Sequence, residues 1–386
     1  MAELSYIIAG SGGNCCTARC RYCSADIYEK DDLKNQMKKI SINFERMKNL
    51  LDKNPILQNA LNTGEELTIN GWSGEPLLYW KEHEMIMDWF KKTYPNLRYK
   101  FFISTNGTLL GVKTIQEWIY KMKEKHNLQL QLSHDGIGQY IRTQKFDPLY
   151  DERTKDFCVQ LTKDNILVMF NTTLNKYNCS PIANKHYFDK WIMENGLQDK
   201  NLYIKLNHIN SADYCKDFNL KGEELNRYMH ELETLWMQAY IAADNDPLWK
   251  PYKGYFLNQM TRWETFRGWG GCAMFQLGMT ETSWSFITDA VTEEDEKNNI
   301  ASYAYCQLCN DRTSCPNPTL SRAESCKDCE FYWMDDCFPC PSMKQEEDCQ
   351  YKKAYIRTVQ RMKLYTAIVD SFRNAKNNSC KCGGKK

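Results

Sequence analysis

The segment CTARCRYC, residues 16–23, places Cys16, Cys20 and Cys23 in the spacing C-x3-C-x2-C. Three thiolates on one tight loop can bind three irons of a cubane cluster and leave the fourth iron open. An open iron can bind a substrate, as an open coordination position on a catalytic zinc does. On spacing alone, a zinc loop or a set of reactive thiols is the alternative. Cys15 does not fit this spacing, so we interpret it as a bystander.

The chain around these cysteines alternates between strand and helix patterns. Short apolar runs predict six β-strands, at residues 4–9, 67–70, 99–104, 128–133, 165–171 and 202–206. Helical spacing predicts helices at residues 31–51, 112–123, 187–193, 222–243 and 351–375, with an irregular stretch at 244–271. Alternating strands and helices favour a parallel sheet with right-handed crossovers. Polar turns such as Gly71, Asn106-Gly107 and Asp135-Gly136 end the strands, so we expect the site at their carboxyl ends.

Composition narrows the class of protein. The chain has 386 residues and 50 basic against 49 acidic side chains, a balance that argues against a nucleic-acid binder. No apolar run approaches the length of a membrane span, and no basic segment followed by an apolar one opens the chain, so we expect a cytoplasmic protein. In a reducing compartment, 18 cysteines favour metal or cluster ligands over disulfides.

The cysteine triplet follows the first predicted strand, and the aromatic Tyr22 precedes its third cysteine. It thereby resembles the cluster motif of the radical S-adenosylmethionine (radical SAM) superfamily. The resemblance implies that Cys16, Cys20 and Cys23 bind a 4Fe–4S cluster that also binds S-adenosylmethionine. It also implies an α/β fold, a partial (β/α)6 TIM-like barrel with a cysteine-rich C-terminal extension.

Two later turns resemble further motifs of the superfamily. SGEP, residues 73–76, resembles its Gly-Gly-Glu-Pro turn, which implies that Gly74 and Glu75 meet the amino group of the cofactor. An amine about to chelate iron requires a carboxylate on a turn that allows a close approach. TNG, residues 105–107, resembles the Thr-Asn-Gly turn after the third strand and adds Asn106 to the predicted cofactor site.

LSHDG, residues 132–136, resembles the superfamily's Leu-Ser-x-Asp-Gly turn after the fourth strand. The resemblance implies that the Ser133 hydroxyl meets the carboxylate of the cofactor, and Arg142 is a further candidate for the same carboxylate. We interpret His134, at the end of a strand, as a structural histidine.

The C-terminal cysteines allow two interpretations. Cys306/Cys309 and Cys326/Cys329 form two C-x2-C pairs at zinc-ribbon spacing. The run from Cys326 to Cys340 also resembles the SPASM domain, which carries two auxiliary 4Fe–4S clusters, although the spacings here are x7 and x2 where that domain has x5 and x3.

The SPASM resemblance implies two sets of cluster ligands. The outer cluster would be bound by Cys326, Cys329, Cys337 and Cys349. The inner cluster would be bound by Cys272, Cys340 and two of Cys306, Cys309 and Cys315. We predict Cys306 and Cys309 as the ligands and Cys315 as the spare, because a C-x2-C pair on one turn can bind one cluster without backbone strain.

The predicted organisation has four parts. Residues 1–220 form the radical SAM partial barrel, 221–271 a bridging helix and irregular segment, 272–350 the SPASM-type domain, and 351–386 a final helix and tail. The first strand begins at about residue 4, so we expect no recognition domain ahead of the barrel.

The leading functional hypothesis is a radical SAM oxidoreductase that modifies a peptide or protein, resembling maturases such as the anaerobic sulfatase-maturating enzymes. That resemblance implies an electron donor such as flavodoxin or ferredoxin, and no nucleic acid or membrane partner. The resembling enzymes use an Asp beside an auxiliary-cluster cysteine as the base. The nearest match here, Asp311, follows Cys309 but lies one residue away from the equivalent position, and it is the candidate catalytic base. The alternatives are a SPASM-type dehydrogenase or rearrangement enzyme acting on a small metabolite, and a non-enzymatic zinc-binding module.

Overall fold

We analysed a computed structural model of the chain. It describes residues 2–7, 16–18, 20–23, 44–45, 48, 61, 66–72, 74–143, 145–208, 217–254, 256–257, 283–286 and 346–381. The predicted helix at 31–51 lies mostly outside these residues. For the first and the last strand only the backbone is described.

The described chain forms a parallel sheet crossed by helices. Its strands are β1 (Ala2–Ile7), β2 (Glu66–Trp72), β3 (Arg98–Thr105), β4 (Leu128–Ser133), β5 (Leu167–Leu174), β6 (Tyr203–His208) and β7 (Ser283–Phe286). Its helices are α1 (Trp80–Thr93), α2 (Lys113–His126), α3 (Gln139–Thr143), α4 (Lys155–Lys163), α5 (Pro181–Glu194), α6 (Gly222–Ala242) and α7 (Glu346–Lys381). Short 3-10 turns occupy Pro76–Tyr79, Gly136–Gly138 and Pro247–Trp249.

The strands lie in the order β6-β5-β4-β3-β2-β1-β7, and every neighbouring pair is parallel. Strands β1 to β6 therefore neighbour one another in chain order, as in a partial barrel. The prediction of a six-stranded α/β fold is confirmed. The sheet also contains β7, which the sequence did not predict and which pairs with β1. It falls within the segment 272–350 predicted to form the SPASM-type domain.

Several strand limits differ from the prediction by one to three residues, and two of them have a clear local cause. Strand β2 does not stop at Gly71 but runs to Trp72, because Gly71 pairs with Tyr6 on one side and Ile103 on the other. Strand β5 begins two residues later than predicted, because Asn165 takes a left-handed conformation with φ 54° that a strand cannot include. It then continues through β-branched threonines to Leu174.

Two segments after the barrel also differ from the prediction. The stretch from 244 onward is not wholly irregular, because a 3-10 turn at Pro247–Trp249 leads into a helical turn at 250–254. The final helix, Glu346–Lys381, is longer than the predicted 351–375.

The helix ends follow local capping rules. Helix α5 begins where the Ser180 hydroxyl accepts a hydrogen bond from the Ala183 amide, with Pro181 at the first position. Helix α2 ends at Asn127, whose left-handed conformation (φ 52°) lets its amide return to the Lys123 carbonyl. These caps fix where each chain segment turns back toward the sheet.

One hydrophobic core extends from the sheet into both C-terminal helices. It contains side chains from β2 to β6 and from the helices on them, and it continues to Trp236 on α6 and Ile356 on α7. Helix α7 is held along α6 by Arg361 and Glu233, 2.7 Å apart, and by Asp370, which accepts from the Tyr240 hydroxyl at 2.6 Å. Strands, α6 and α7 thus share apolar burial, the main source of stability in such a fold.

No helix in the described part of the chain is both long enough and apolar enough to cross a membrane.

Candidate cluster and cofactor site

The cysteine loop and the turns after β2, β3 and β4 contact one another at the carboxyl edge of the sheet. The loop is a tight turn, closed by a hydrogen bond from the Cys23 amide to the Cys20 carbonyl at 3.1 Å. Cys16, Cys20 and Cys23 are free, half-buried thiols. Burial, with the nearby Glu75 carboxylate, raises the pKa of Cys16 to about 12, and burial raises the pKa of Cys20 to about 11. Such thiols become thiolates only beside a compensating positive charge, which a metal centre supplies.

Asn106 joins the turn after β3 to the cysteine loop. Its side-chain amide donates to the Cys16 sulfur at 3.4 Å and to the Thr17 hydroxyl at 3.1 Å. Thr17 also bonds to the Thr108 hydroxyl. The turn needs glycine at Gly107, because φ is +81° and an added Cβ would lie 2.8 Å from Leu132. Asn106, predicted as a cofactor residue, therefore contacts a predicted cluster ligand.

Glu75 is fully buried and caps the 3-10 turn that follows β2. Its carboxylate accepts hydrogen bonds from the Thr105 hydroxyl at 2.6 Å, the Asn106 amide at 2.8 Å and the Leu77 amide at 3.2 Å. Burial raises the pKa of this carboxyl to about 7, although these bonds oppose the shift. A carboxylate has about four acceptor positions, so one remains for a ligand donor. Gly74 lies next to it and is partly exposed.

Arg142 lies between Asp135 and the cysteine loop. One terminal nitrogen of its guanidinium donates to Asp135 at 3.0 Å, and the other lies 3.8 Å from the Cys20 sulfur. Its Nε is buried and has no hydrogen-bond partner among the described residues. Two of the three nitrogens thus face the protein, which leaves the Nε–H as the donor that could reach a cofactor carboxylate.

Ser133 and His134 end β4 at the same edge. The Ser133 hydroxyl lies 3.2 Å from the Ser104 hydroxyl and is only partly buried, so it keeps hydrogen-bonding capacity. His134 is fully buried, accepts from the Gly136 amide at 3.0 Å through Nδ1, and lies 2.9 Å from Asp147 through Nε2. Both ring nitrogens are satisfied inside the protein, as expected for a structural histidine.

Several predicted site residues lie outside the described residues. These are Asp311, Cys272, Cys306, Cys309, Cys315, Cys326, Cys329, Cys337 and Cys340. Cys349 falls on α7, but its side chain is not described. The auxiliary cluster ligands and the candidate base therefore stay predictions.

Sequence reasoning missed two residues in contact at the cysteine loop and a third that follows one of them in the chain. Tyr22, seen only as an aromatic of the motif, donates its hydroxyl to Asp135. Phe218, in the loop after β6, packs edge-on against Tyr22 with ring centres 5.8 Å apart. Asn219 is 5% exposed, and within the described part of the chain neither its side-chain oxygen nor its nitrogen has a hydrogen-bond partner. Only Tyr22 could have been found from the sequence, because the other two lie in no motif.

Within the described residues, no three His, Cys, Asp or Glu side chains form a group that could hold one metal ion. In a cubane each thiolate binds a different iron, so the sulfurs lie farther apart than those around a single ion. Asn106 and Arg142 direct hydrogen-bond donors toward the sulfurs of Cys16 and Cys20, as the surroundings of cluster sites commonly do.

Searches for similar proteins agree with this geometry. No family model matches the chain. It is 25% identical over 221 residues to the radical SAM cyclopropyl synthase TigE of Paramaledivibacter caminithermalis, covering 54% of this chain and 42% of that protein. It is 29% identical over 228 residues to an uncharacterized protein of Methanocaldococcus jannaschii, covering 58% of this chain and 72% of that protein. The chain thus spans less than half the length of the cyclopropyl synthase.

Solved structures show the same fold over nearly the whole chain. anSMEcpe with bound AdoMet superposes with a TM-score of 0.57 at 14% identity, covering 95% of this chain and 100% of that one. anSMEcpe with bound AdoMet and a peptide superposes with a TM-score of 0.54 at 15% identity, covering 95% and 99%. The α/β partial-barrel fold is that of the anSMEcpe structures. Together with the sequence match, this confirms the resemblance to the radical SAM superfamily.

Proposed function

We propose that this protein is a radical SAM enzyme that abstracts a hydrogen atom from a peptide or protein substrate. The observation that carries the proposal is the loop of Cys16, Cys20 and Cys23, placed at the carboxyl edge of a partial barrel and contacted by Asn106 and Arg142. Cys16, Cys20 and Cys23 would hold a 4Fe–4S cluster there, and the cluster would supply the one-electron chemistry for reductive cleavage of S-adenosylmethionine.

The chain's own residues supply binding and orientation. The free acceptor position of Glu75, with Gly74 beside it, suits the amino group of the cofactor. The Ser133 hydroxyl and the unpartnered Nε–H of Arg142 suit its carboxylate. Holding the reacting carbon against one hydrogen is the main task of the protein in such chemistry.

A peptide substrate is supported by the solved relatives, two of which were determined with a bound peptide. We further propose that the cysteines between 272 and 349 bind two auxiliary clusters in a SPASM-type domain, and that a flavodoxin or ferredoxin supplies electrons in the cytoplasm. The cyclopropyl synthase is a relative named for forming new bonds, which suits this class of chemistry.

The test replaces Cys16, Cys20 and Cys23 together with Ala in the anaerobically reconstituted protein. S-adenosylmethionine cleavage should disappear, while about two-thirds of the iron remains on the auxiliary sites. Cys179→Ala, a buried thiol outside the loop, is the matched control and should retain cleavage. A folded triple variant that loses all its iron, or that still cleaves the cofactor, would contradict the proposal.

Metal content separates the remaining alternatives. Three cubanes require about twelve irons per chain, whereas a zinc-binding C-terminal segment leaves about four. A second experiment decides between the two substrate classes. The protein is incubated with cell extract, S-adenosylmethionine and reductant, and mass changes are then compared between the peptide fraction and the small-molecule fraction. A mass change confined to small molecules would favour the metabolite enzyme.

A further inference from the structure

Asp135, in the turn after β4, is a fully buried carboxylate that no predicted role uses. It accepts hydrogen bonds from the Tyr22 hydroxyl, from Arg142 at 3.0 Å and from the Thr173 amide at 3.0 Å. Its own backbone is also fixed, because its amide donates to the Gln139 side chain and its carbonyl accepts from the Asn178 side chain, both at 3.0 Å. The carboxylate is therefore anchored to β5 and to the loop beyond it.

Two arms run from this carboxylate to the cysteine loop. The first is Tyr22, which lies between Cys20 and Cys23 in the chain. The second is Arg142, whose guanidinium lies 3.8 Å from the Cys20 sulfur and 5.7 Å from the centre of the Tyr22 ring. Both arms end on the same few residues of the loop.

The loop has little other apolar support among the described residues. Tyr22 belongs to a small hydrophobic cluster with Ile141 and Phe218, separate from the main core, and Cys20 packs against it. Tyr22, Ile141 and Phe218 are all almost fully buried, but apolar packing is non-directional. The hydrogen bonds to the buried carboxylate add the directional restraint on this loop.

We propose that Asp135 is a positioning residue that holds the cysteine loop in its ligating geometry through Tyr22 and Arg142. The inference rests on the proposed function in one respect, that the loop binds a cluster. Asp135 contacts no predicted ligand itself; it acts through the two side chains that it orients. Removing its charge should loosen Cys20 and Cys23 without unfolding the barrel.

A second, half-buried carboxylate provides a control. Asp147 accepts from the Tyr187 hydroxyl, lies 2.9 Å from His134 and accepts from the Leu149 amide at 2.9 Å. Burial opposes its ionisation, but these bonds hold its pKa below the usual range. Its partners lie in the turn after β4, on α5 and in the segment between α3 and α4, and none of the three belongs to the cysteine loop. Asp147→Asn therefore removes a comparable network without touching the proposed arms.

The experiment measures the alkylation rate of individual cysteines by peptide mass spectrometry. The full chain, loaded anaerobically with iron and sulfide, is incubated with an iron chelator and iodoacetamide. Asp135→Asn should speed labelling of Cys20 and Cys23 about tenfold or more over wild type. Tyr22→Phe, which removes one arm, should give a smaller increase, and Asp147→Asn none. Cys158, fully buried on α4, reports whether the barrel is intact.

Wild-type labelling rates at Cys20 and Cys23 in a folded Asp135→Asn variant would overturn the proposal. Equal acceleration by Asp147→Asn would do the same, because the effect would then be general loosening. If fast labelling of Cys158 shows that Asp135→Asn is unfolded, Tyr22→Phe decides: faster labelling supports the proposal and wild-type rates overturn it. If the loop binds no cluster, the proposed function itself fails, and the result is different: the labelling rate of wild type is then the same with and without the chelator.

Discussion

The two edges of the sheet use similar polar side chains in different surroundings. At the amino edge, His126 at the end of α2 lies 2.7 Å from the Tyr99 hydroxyl and 2.8 Å from Asp88, whose side chain is 41% exposed. At the carboxyl edge, Glu75 and Asp135 are fully buried, and the Arg142 Nε has no partner. The first network keeps its charge in contact with water, whereas the second removes charges from water and leaves a donor unused.

This difference separates stability from function. A partly exposed ion pair contributes only about 0–1 kcal/mol and is easily replaced. Buried charges cost free energy unless their partners are well placed, so a fold that retains them has another use for them. The carboxyl edge is where the cysteine loop, the Glu75 turn and the Asp135 turn meet, and its unused hydrogen-bonding capacity is available to a ligand.

The comparison is tested most strongly by removing one carboxylate from each edge. Glu75→Leu leaves the Thr105 hydroxyl and the amides of Leu77 and Asn106 without their acceptor, and should lower the free energy of unfolding by about 3–5 kcal/mol. Asp88→Leu leaves only one buried atom, the His126 Nε2, without its partner and should lower it by about 1–2 kcal/mol. Urea denaturation of the two variants measures both values, and equal losses would show that the edges do not differ.

The buried carboxyl of Glu75 also predicts a pH dependence. Because burial raises its pKa to about 7 in the folded chain, the folded state binds the proton more tightly than the unfolded state does. The unfolding free energy of wild type, minus that of Glu75→Gln, should therefore fall as pH rises from about 4.5 to about 7. The slope should approach 1.4 kcal/mol per pH unit at most. Urea titrations of the cluster-free chains at several pH values measure this difference, and a difference that grows with pH would contradict it.

Two glycines with similar backbones sharpen the comparison further. Gly136 at the carboxyl edge and Gly196 before β6 have φ near +60°, so alanine strains both by about 1 kcal/mol. A Cβ at Gly136 would also lie 2.1 Å from the Asn184 side-chain oxygen, whereas nothing lies within 4 Å at Gly196. Asn184 is held by bonds to the Asn178 and Ser180 carbonyls at 2.9 and 2.8 Å, so it cannot easily move.

Gly136→Ala should therefore lose about 2–3 kcal/mol of unfolding free energy, and Gly196→Ala about 1 kcal/mol. Thermal unfolding of the two variants under identical conditions measures the difference. A loss at Gly196 as large as that at Gly136 would mean that backbone strain alone decides, and that the carboxyl edge is no more tightly packed.

The smallest expected effect is a gain in stability. Asn219 buries two unpartnered polar atoms, so Asn219→Leu should raise the unfolding free energy by about 1 kcal/mol. At the same edge, Asn178 uses its amide fully, accepting from the Asn175 amide at 2.7 Å and donating to the Asp135 carbonyl at 3.0 Å. Asn178→Leu should therefore destabilise the chain. Calorimetry of both variants tests the contrast, and a loss in both would show that Asn219 has a partner in solution.

Local pattern predicted the strands well, because alternation and turn residues act within a few positions of each other. The cysteine loop and the turns at Glu75, Asn106 and Ser133 were likewise predicted, since each lies in a short motif. The bond between Tyr22 and Asp135 was not, because the two residues are 113 positions apart and no local pattern connects them. Strand β7 was missed because it has only four residues and lies among cysteines that signalled a different structure.

The pairing of β7 with β1 bears on how the chain folds. Glu3 pairs with Ser283, so this part of the sheet joins segments roughly 280 residues apart in the chain. Such long-range contacts raise the contact order and form slowly. During synthesis the first strand leaves the ribosome long before its second neighbour exists, and until then it can pair only with β2. The strand that leads into the cysteine loop is thus among the last to be enclosed. Cluster insertion before that step would meet a loop whose supporting strand is still at the edge of the sheet.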